Sequence, residues 1–176
     1  MERLQLEFSI ESPNIDEQHI DGESIENYVL RLAESKAKNV AKKHFNSIVI
    51  GSDQALECDG VILGKPGDYE NAKQQLMAMS NKTMTFYTGL CVMNSSKDKS
   101  EKDVISFRVC FRRLEEQEIE AYLHKEQPYS CVGSFMSERL GISLMSKMEG
   151  EDPTALVGLP LIRLCQMLRN LGLKIP

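Results

Sequence analysis

The sequence predicts an α/β domain in which helices flank a mixed sheet, and three patterns carry this prediction. A β-branched run, Ile48-Val-Ile50, is bounded by Gly51 and is typical of a buried strand. Residues 105–112 alternate between an apolar face and a more polar face, as a half-buried strand does. After Pro160, leucine and methionine recur at helical spacing. We expect residues 1–176 to form a single domain with these elements.

The predicted elements follow one another along the chain. Ser24 can cap a helix that runs to about Lys43, and Asp68 can cap a second helix that ends near Ser80. The strands expected at Thr83–Asn94 and from Ile105 are joined by a loop shorter than the crossover of about a dozen residues or more that a parallel pair needs. We therefore expect them to form an antiparallel hairpin. The remaining expected elements are a strand Thr83–Asn94, a loop Ser95–Asp103, a strand from Ile105, a helix Glu115–Lys125, a strand Ile142–Met148 and a helix from Pro160 to Gly172.

Composition narrows the class of protein. Of the residues, 41% are hydrophobic and 27% are charged, as in ordinary globular proteins, and the net charge is −5. An acidic chain argues against a broad nucleic-acid surface, although a locally basic pocket can still bind a small anion. No apolar run approaches the ~20 residues of a membrane span. The five cysteines form no CxxC pair, so we expect reduced thiols and a cytoplasmic location.

Asp53 and Lys65 are the first candidate site residues. Asp53 follows the Ile48–Gly51 run, and we expect it at the end of that strand, where open α/β sheets place their ligands. Lys65 stands between Gly64 and Pro66, after a second apolar run. An acid and a base on rigid backbone suit a metal-bound phosphate ester. The alternative is that Asp53 ends its strand only because aspartate favours turns.

Lys36 interrupts the apolar stripe of the first helix. At 100° per residue it falls in the middle of the stripe formed by Ile25, Val29, Leu32, Ala33 and Val40. The ammonium could reach water past the edge of the helix, as long basic side chains often do. A buried, unpaired ammonium would be costly. Lys36 therefore needs an anion, either a carboxylate or a phosphate of a ligand.

Two further segments carry candidate ligand groups. Asp16 and Glu17 are adjacent acids, and one of them together with Asp53 would meet the needs of Mg²⁺, which binds one or two carboxylates plus substrate phosphates. Adjacent acids in a loop are more often merely solvated. Phe135 and Glu138 could hold a nucleobase by stacking and hydrogen bonding, although the signal is of low specificity.

Taken in order, these residues resemble the Maf-like family of nucleotide pyrophosphatases, in particular its 7-methyl-GTP pyrophosphatase branch. Spacing and order agree from about Leu4 to Gly172. Gln54 after Asp53, and Glu138 where other branches have glutamine, point to that branch. The matching blocks are Ile15-Asp-Glu17, Leu32-Ala-Glu-Ser-Lys36-Ala37, Ile50-Gly-Ser-Asp53-Gln54, Leu63-Gly-Lys65-Pro66, Phe86-Tyr-Thr-Gly89, Cys131-Val-Gly-Ser-Phe-Met-Ser-Glu138, Glu149-Gly-Glu-Asp-Pro-Thr154 and Val157-Gly-Leu-Pro160-Leu161.

The resemblance implies a curved Maf/ITPase-like sheet and a hydrolase acting on the anhydride of a nucleoside triphosphate. Water would attack the α-phosphorus and release pyrophosphate. The roles that the resemblance implies are Asp53 as proton acceptor, Glu17 and Asp53 as ligands of Mg²⁺ or Mn²⁺, Lys36 and Lys65 on the phosphates, and Gln54, Glu138 and Phe135 at the base. The expected partner is the nucleotide, without a nucleic acid polymer or a membrane, and a homodimer is one option.

The sequence departs from the family pattern at two places. It opens as though the family's first strand and its Ser-x-x-Arg-Arg loop were missing, which predicts an N-terminally truncated fold and a gap in the sheet. This keeps open an alternative, a catalytically impaired nucleotide-binding regulator linked to cell division. In addition, Arg139 stands where the branch more often has glycine. We expect Arg139 to be able to pair with Glu138 and weaken the selection of a cationic base.

Overall fold

One antiparallel sheet organises the protein. The computed structural model describes residues 1–97 and 99–175 and gives the strand order β2-β1-β3-β4-β5. The strands are β1 (Ile48–Cys58), β2 (Val61–Leu63), β3 (Thr83–Asn94), β4 (Lys99–Phe111) and β5 (Met145–Glu149). The predicted α/β class with flanking helices is confirmed. We predicted a mixed sheet, but each pair of neighbouring strands in the described residues is antiparallel.

Three strand boundaries differ from the prediction. Strand β1 does not end at Gly51, because Gly51 is extended and pairs with Cys91, and the ladder continues to Glu57. Asp53 therefore lies within a strand rather than at its end. The expected loop at 95–103 is shorter, since β4 begins at Lys99 and its polar first residues pair with the end of β3. Residues 140–144 form a 3₁₀ turn, so the strand predicted from Ile142 begins only at Met145.

In the described part of the chain, four α-helices flank the sheet. They are α1 (Ile25–Ala41), α2 (Tyr69–Met79), α3 (Glu116–Glu126) and α4 (Leu161–Asn170). The predicted caps are confirmed, because Ser24 Oγ accepts from Asn27 N and Asp68 Oδ1 accepts from Asn71 N. Pro160 is the N-cap of α4 rather than its first residue. Among the described residues, no helix is both long and apolar enough to cross a membrane.

A buried carboxylate organises the start of α4. Asp152 is only 2% exposed. Its Oδ1 accepts from the backbone N–H of Thr154 at 3.0 Å, and its Oδ2 accepts from the N–H of Ile162 at 2.7 Å. Asp152 thus satisfies donors of the 3₁₀ turn Pro153–Val157 and of α4 at once. This fixes the Pro153–Val157 turn against the sheet, where it becomes one wall of the site described below.

Helix α1 lies unusually close to the sheet. Gly51 on β1 and Gly89 on β3 face it, and both are buried. A Cβ atom at Gly51 would overlap the carbonyl oxygen of Ala33, and one at Gly89 would overlap that of Val29. The backbone of α1 therefore contacts the backbone of the sheet with no side chain between them. These two glycines set the distance between α1 and β1.

The outer edge of β1 is largely open. Its inner edge pairs with β3 from Ile48 to Glu57, but β2 covers only Leu56–Cys58 on the outer side. Within the described residues, the stretch from Ile48 to Ala55 has no strand beyond it. Asp53 can therefore be approached from the side of the sheet, because α1 covers its face.

We predict that Gly51→Ala destabilises the protein by at least about 3 kcal/mol, because the added methyl group would force α1 away from the sheet. Urea denaturation measures this loss. The matched control is Gly64→Ala, where a Cβ atom meets nothing within 4 Å, and we expect its free energy of unfolding to stay within about 0.5 kcal/mol of the parent. Equal stability of the two variants would show that the α1 contact is not tight.

Candidate active site

Three charged residues from three parts of the chain meet beside β1. Lys36 Nζ on α1 lies 2.6 Å from Asp53 Oδ1 on β1 and 2.9 Å from Glu17 Oε1 in the segment before α1. The Lys36 side chain is 19% exposed and that of Asp53 is 13% exposed, while Glu17 is mostly in solvent. The lysine that interrupts the apolar stripe of α1 thus has two carboxylate partners. A carboxylate is thus the partner of Lys36 in the ligand-free protein, and a ligand phosphate could replace either carboxylate.

Burial dominates the electrostatics of this cluster. Burial raises the pKa of Asp53, and the hydrogen bond and positive charge of Lys36 oppose this shift without cancelling it. For Lys36, burial alone would lower the pKa, but the hydrogen bonds that it donates to Asp53 and Glu17 together raise it above its ordinary value. Lys36 therefore stays charged at neutral pH, whereas Asp53 holds a proton more readily than a surface aspartate does.

Residues 11–23 form an irregular segment, without helix or strand and with a turn at residues 21–22, that we name the strap. Side chains of α1 hold it mainly by its backbone carbonyls. Tyr28 Oη donates to the carbonyl of Glu17 at 3.1 Å, and Arg31 Nη2 donates to that of Gln18 at 3.0 Å. Asn39 Nδ2 donates to the carbonyl of residue 14 at 3.2 Å. These contacts could not be predicted from the sequence, because hydrogen bonds from side chains to the main chain leave no periodic signal.

The two ends of the strap are pinned by acids. Glu23 accepts from Arg31 Nε at 2.7 Å, and Glu11 accepts from Lys43 Nζ at 2.5 Å and lies 2.6 Å from His44 Nε2. Glu17 sits between these ends. The position of Glu17 over Lys36 therefore depends on the side chains of α1 that hold the strap, as well as on the strap itself.

A cleft of about 320 Å³ opens next to Asp53. Five of the predicted site residues line it, namely Asp53, Gln54, Lys65, Phe135 and Glu138. Glu17 and Lys36 are not part of its wall and reach it through Asp53. The cleft is also lined by Ser52, Leu156 and the segment 130–132, which were not predicted as site residues. Alternation along β1 could have singled out Ser52, which shares a face with Gln54.

Residues of β1 tie the Pro153–Val157 turn to the sheet. Ser52 Oγ donates to the carbonyl of Gly158 at 2.7 Å. Gln54 Nε2 donates to the carbonyl of Ala155 at 2.6 Å and to Thr88 Oγ1 at 3.2 Å. The wall of the cleft is therefore held by partly buried hydrogen bonds and is preorganised.

Phe135 lies mostly in the core. It is 6% exposed and makes edge-to-face contacts with Phe86 and Phe111, with ring centroids 5.5 Å and 5.4 Å apart. Only a small part of the ring borders the cleft. Stacking of a base on Phe135 stays a prediction, and the burial of the ring favours a role in shaping the floor of the cleft.

Arg139 does not pair with Glu138, contrary to the expectation. Its Nε atom lies 3.0 Å from Glu126 Oε2 at the end of α3. The Glu126 side chain is only 10% exposed, and the contact is an ion pair without a hydrogen bond, since its Oε2 atom has no hydrogen-bond partner among the described residues. Among residues 1–97 and 99–175, Glu138 has one weak hydrogen bond, from Ser137 Oγ at 3.4 Å. Its carboxylate therefore remains available to the cleft.

Comparison with known proteins agrees with this geometry. The family model described as Maf-like protein matches residues 1–171. The chain belongs to the Maf-like family. It is 48% identical to the 7-methyl-GTP pyrophosphatase of Methylobacillus flagellatus over 173 residues, which are 98% of this chain and 90% of that protein. It is 50% identical to the protein of the same name from Idiomarina loihiensis, over 99% of this chain and 89% of the relative. It is 51% identical to the protein of that name from Nitrosococcus oceani, over 97% of this chain and 85% of the relative.

The donor set suits a divalent metal ion only with help from a substrate. In the described part of this Maf-like protein, no three His, Cys, Asp or Glu side chains are grouped so that they could hold a metal by themselves. Glu17 and Asp53 both lie within 3 Å of one ammonium, so their carboxylates are close together. Two carboxylates and one ammonium leave one negative charge in excess. Such a pair fits Mg²⁺ when phosphate oxygens complete the shell.

We predict that Lys36→Met destabilises the Maf-like protein by about 1–3 kcal/mol at pH 8, because Asp53 would be left buried without its cation. The raised pKa of Asp53 rises further in this variant, since Lys36 is what lowers it. The penalty is full above that folded-state pKa, and it falls as the pH drops through it, where the carboxyl becomes neutral. Urea denaturation at pH 8 and pH 5 measures the difference.

The control for this experiment is Lys38→Met on the same helix, whose ion pair with Glu34 is largely exposed. We expect that variant to stay within about 0.5 kcal/mol of the parent at both pH values. A loss for Lys36→Met that is the same at pH 8 and pH 5 would contradict an electrostatic role for the Asp53 pair.

Proposed function

We propose that this chain hydrolyses 7-methyl-GTP to the monophosphate and pyrophosphate. The observation that carries the proposal is the cluster of Glu17, Lys36 and Asp53 beside a cleft that Gln54 and Glu138 also line. Charged groups suited to phosphate chemistry thus lie next to hydrogen-bond acceptors that could bind a nucleobase. The names of relatives that share about half of the residues over nearly the whole chain support the same substrate.

The reaction assigns a defined role to each charged group. A water molecule attacks the α-phosphorus, the bond from that phosphorus to the bridging oxygen breaks, and pyrophosphate leaves. Asp53 accepts the proton of the water, a task that suits a carboxyl group whose pKa burial has raised. Lys36 and Lys65 neutralise the negative charge that grows on the phosphate oxygens. Lys65 is exposed at the rim of the cleft, so it can reach a bound triphosphate.

Glu17 and Asp53 are the proposed ligands of a divalent cation, Mg²⁺ or Mn²⁺. When bound, the ion supplies positive charge to the triphosphate. The excess negative charge of the cluster favours this occupancy, and Lys36 can then turn toward the phosphates. The strap contributes by holding the Glu17 backbone through Tyr28.

The base preference rests on Glu138. Guanine methylated at nitrogen 7 carries a positive charge, so a facing carboxylate gains Coulomb energy that a neutral amide cannot supply. At ~4 Å and an effective dielectric constant near 20, this attraction reaches ~4 kcal/mol before desolvation. Glu138 is exposed, which reduces the gain, whereas Arg139 is held by Glu126 and does not neutralise it.

We favour the enzyme over the impaired regulator that the sequence analysis kept open. The four residues that the reaction needs for proton transfer and charge, Glu17, Lys36, Asp53 and Lys65, lie together at one edge of the sheet. A protein that only binds nucleotide has no need of a proton acceptor beside the phosphates. Turnover of 7-methyl-GTP by the purified chain, followed by pyrophosphate release, distinguishes the two functions directly.

Asp53→Asn should lower the turnover of 7-methyl-GTP by about 10²–10⁴-fold, because the amide keeps the shape but cannot accept the proton. Pyrophosphate release at saturating nucleotide and metal measures this. Asp103→Asn serves as the control, since Asp103 is an acid paired with Arg163 away from the cleft, and its turnover should match the parent. Turnover of Asp53→Asn within a few-fold of the parent, with a folded protein, would remove Asp53 from the mechanism.

Glu138→Gln should reduce the preference for 7-methyl-GTP over GTP, which we expect to be about ten- to hundredfold in the parent. Competition between the two nucleotides at one metal concentration gives the ratio of kcat/KM directly. Glu70→Gln, an exposed acid on α2, is the matched control and should leave the ratio unchanged. If the parent itself uses both nucleotides equally well, the assignment of 7-methyl-GTP is wrong.

A further inference from the structure

The side chain of Gln54 is held in one orientation. Its Nε2 atom donates to the carbonyl of Ala155 at 2.6 Å and to Thr88 Oγ1 at 3.2 Å, which uses both amide hydrogens. Its Oε1 atom has no hydrogen-bond partner among the described residues, yet it is not a buried unpaired atom. Because Gln54 lines the cleft, Oε1 is the polar atom that it offers there.

Thr88 helps to restrict the Gln54 amide to one of its two possible orientations. Its side chain is fully buried, and its hydroxyl donates its single hydrogen to the carbonyl of Ala155 at 3.1 Å. The hydroxyl can therefore only accept from Gln54. Turning the amide over would place Oε1 against the carbonyl oxygen of Ala155, and two acceptors at that distance repel each other.

We propose that Thr88 is a positioning residue that, with the carbonyl of Ala155, locks Gln54 so that only its amide oxygen faces the base, and that this lock selects guanine over adenine. The inference rests on the proposed function for the identity of the cleft. It adds a residue that does not touch the substrate and assigns Gln54 the role of acceptor.

The selectivity follows from the hydrogen-bonding groups of the bases. Gln54 Oε1 and the Glu138 carboxylate are both acceptors that border the same cleft. The pairing edge of guanine offers two adjacent donors, the N1–H and the 2-amino group. Adenine presents an acceptor, its unprotonated N1, at the corresponding position. A glutamine that could turn would donate to that atom, so a locked glutamine rejects adenine and a free one tolerates it.

The test is Thr88→Val, which keeps the volume and removes the hydroxyl. We expect the preference for guanine over adenine to fall by about tenfold, because the Ala155 carbonyl then holds only one amide hydrogen of Gln54, and the other can rotate toward the cleft and donate to adenine. Calorimetry with the non-hydrolysable α,β-methylene analogues of GTP and ATP gives the binding ratio. The kcat/KM values for GTP and ATP give the same ratio in turnover.

Two further variants separate positioning from a purely structural role. Thr88→Ser restores the hydroxyl and should recover the guanine preference. Thr85→Val makes the same change on the opposite face of β3 and should leave the preference unchanged. A structural role alone would weaken both nucleotides equally and leave the ratio at the parental value.

The outcomes distinguish this inference from the proposed function. If the guanine-to-adenine ratio is unchanged in Thr88→Val, the lock is wrong. The same holds if the parent hydrolyses triphosphates without preferring guanine. Neither result contradicts the pyrophosphatase activity. A parent that prefers the GTP analogue in binding but releases no pyrophosphate from any triphosphate supports the lock and overturns the proposed function.

Discussion

The site depends on one steric constraint, the direct contact of α1 with the sheet at Gly51 and Gly89. Asp53 pairs with Gly89 across the ladder and lies two residues after Gly51, so both glycines flank it. Because no Cβ atom separates the backbones there, α1 approaches closely enough for Lys36 to reach Asp53 at 2.6 Å. On a more distant helix, the ammonium of this lysine would be hydrated instead of paired with Asp53.

The same closeness explains the electrostatics. A carboxylate brought under a helix loses water, and burial accordingly raises the pKa of Asp53 despite its cation. Lys36 also loses water but has two partners, so its charge is kept. The geometry thus holds a proton acceptor and a permanent cation side by side, which is a requirement of phosphoryl chemistry and a burden on stability.

Much of the fold and of the site could be predicted from the sequence, for identifiable reasons. Helix periodicity located Lys36 in the apolar stripe of α1, and its need for an anion follows from desolvation alone. Cap residues located the starts of α1 and α2, since Ser24 and Asp68 satisfy free backbone donors. The family resemblance, which supplied the roles of Gln54 and Glu138, is confirmed by the match to the Maf-like family.

The parts that could not be predicted depend on contacts distant in sequence. Asp53 was expected at a strand end, because Gly51 and Ser52 interrupt the apolar run, whereas pairing with β3 continues through them. Arg139 was expected beside Glu138 because the two are neighbours in sequence, yet Glu126 on α3 provides the buried partner. Local pattern cannot reveal a partner that only the tertiary fold supplies.

The way α1 holds the strap has a consequence for how sequences of this family can vary. Tyr28, Arg31 and Asn39 bind carbonyl oxygens, which every residue possesses, so the side chains at positions 14 and 18 are free to drift. The number of residues between the acidic ends is not free, because one insertion or deletion would shift the carboxylate at position 17 off Lys36. In an alignment, the residues at positions 14 and 18 should vary, whereas the number of residues between the acidic ends should not.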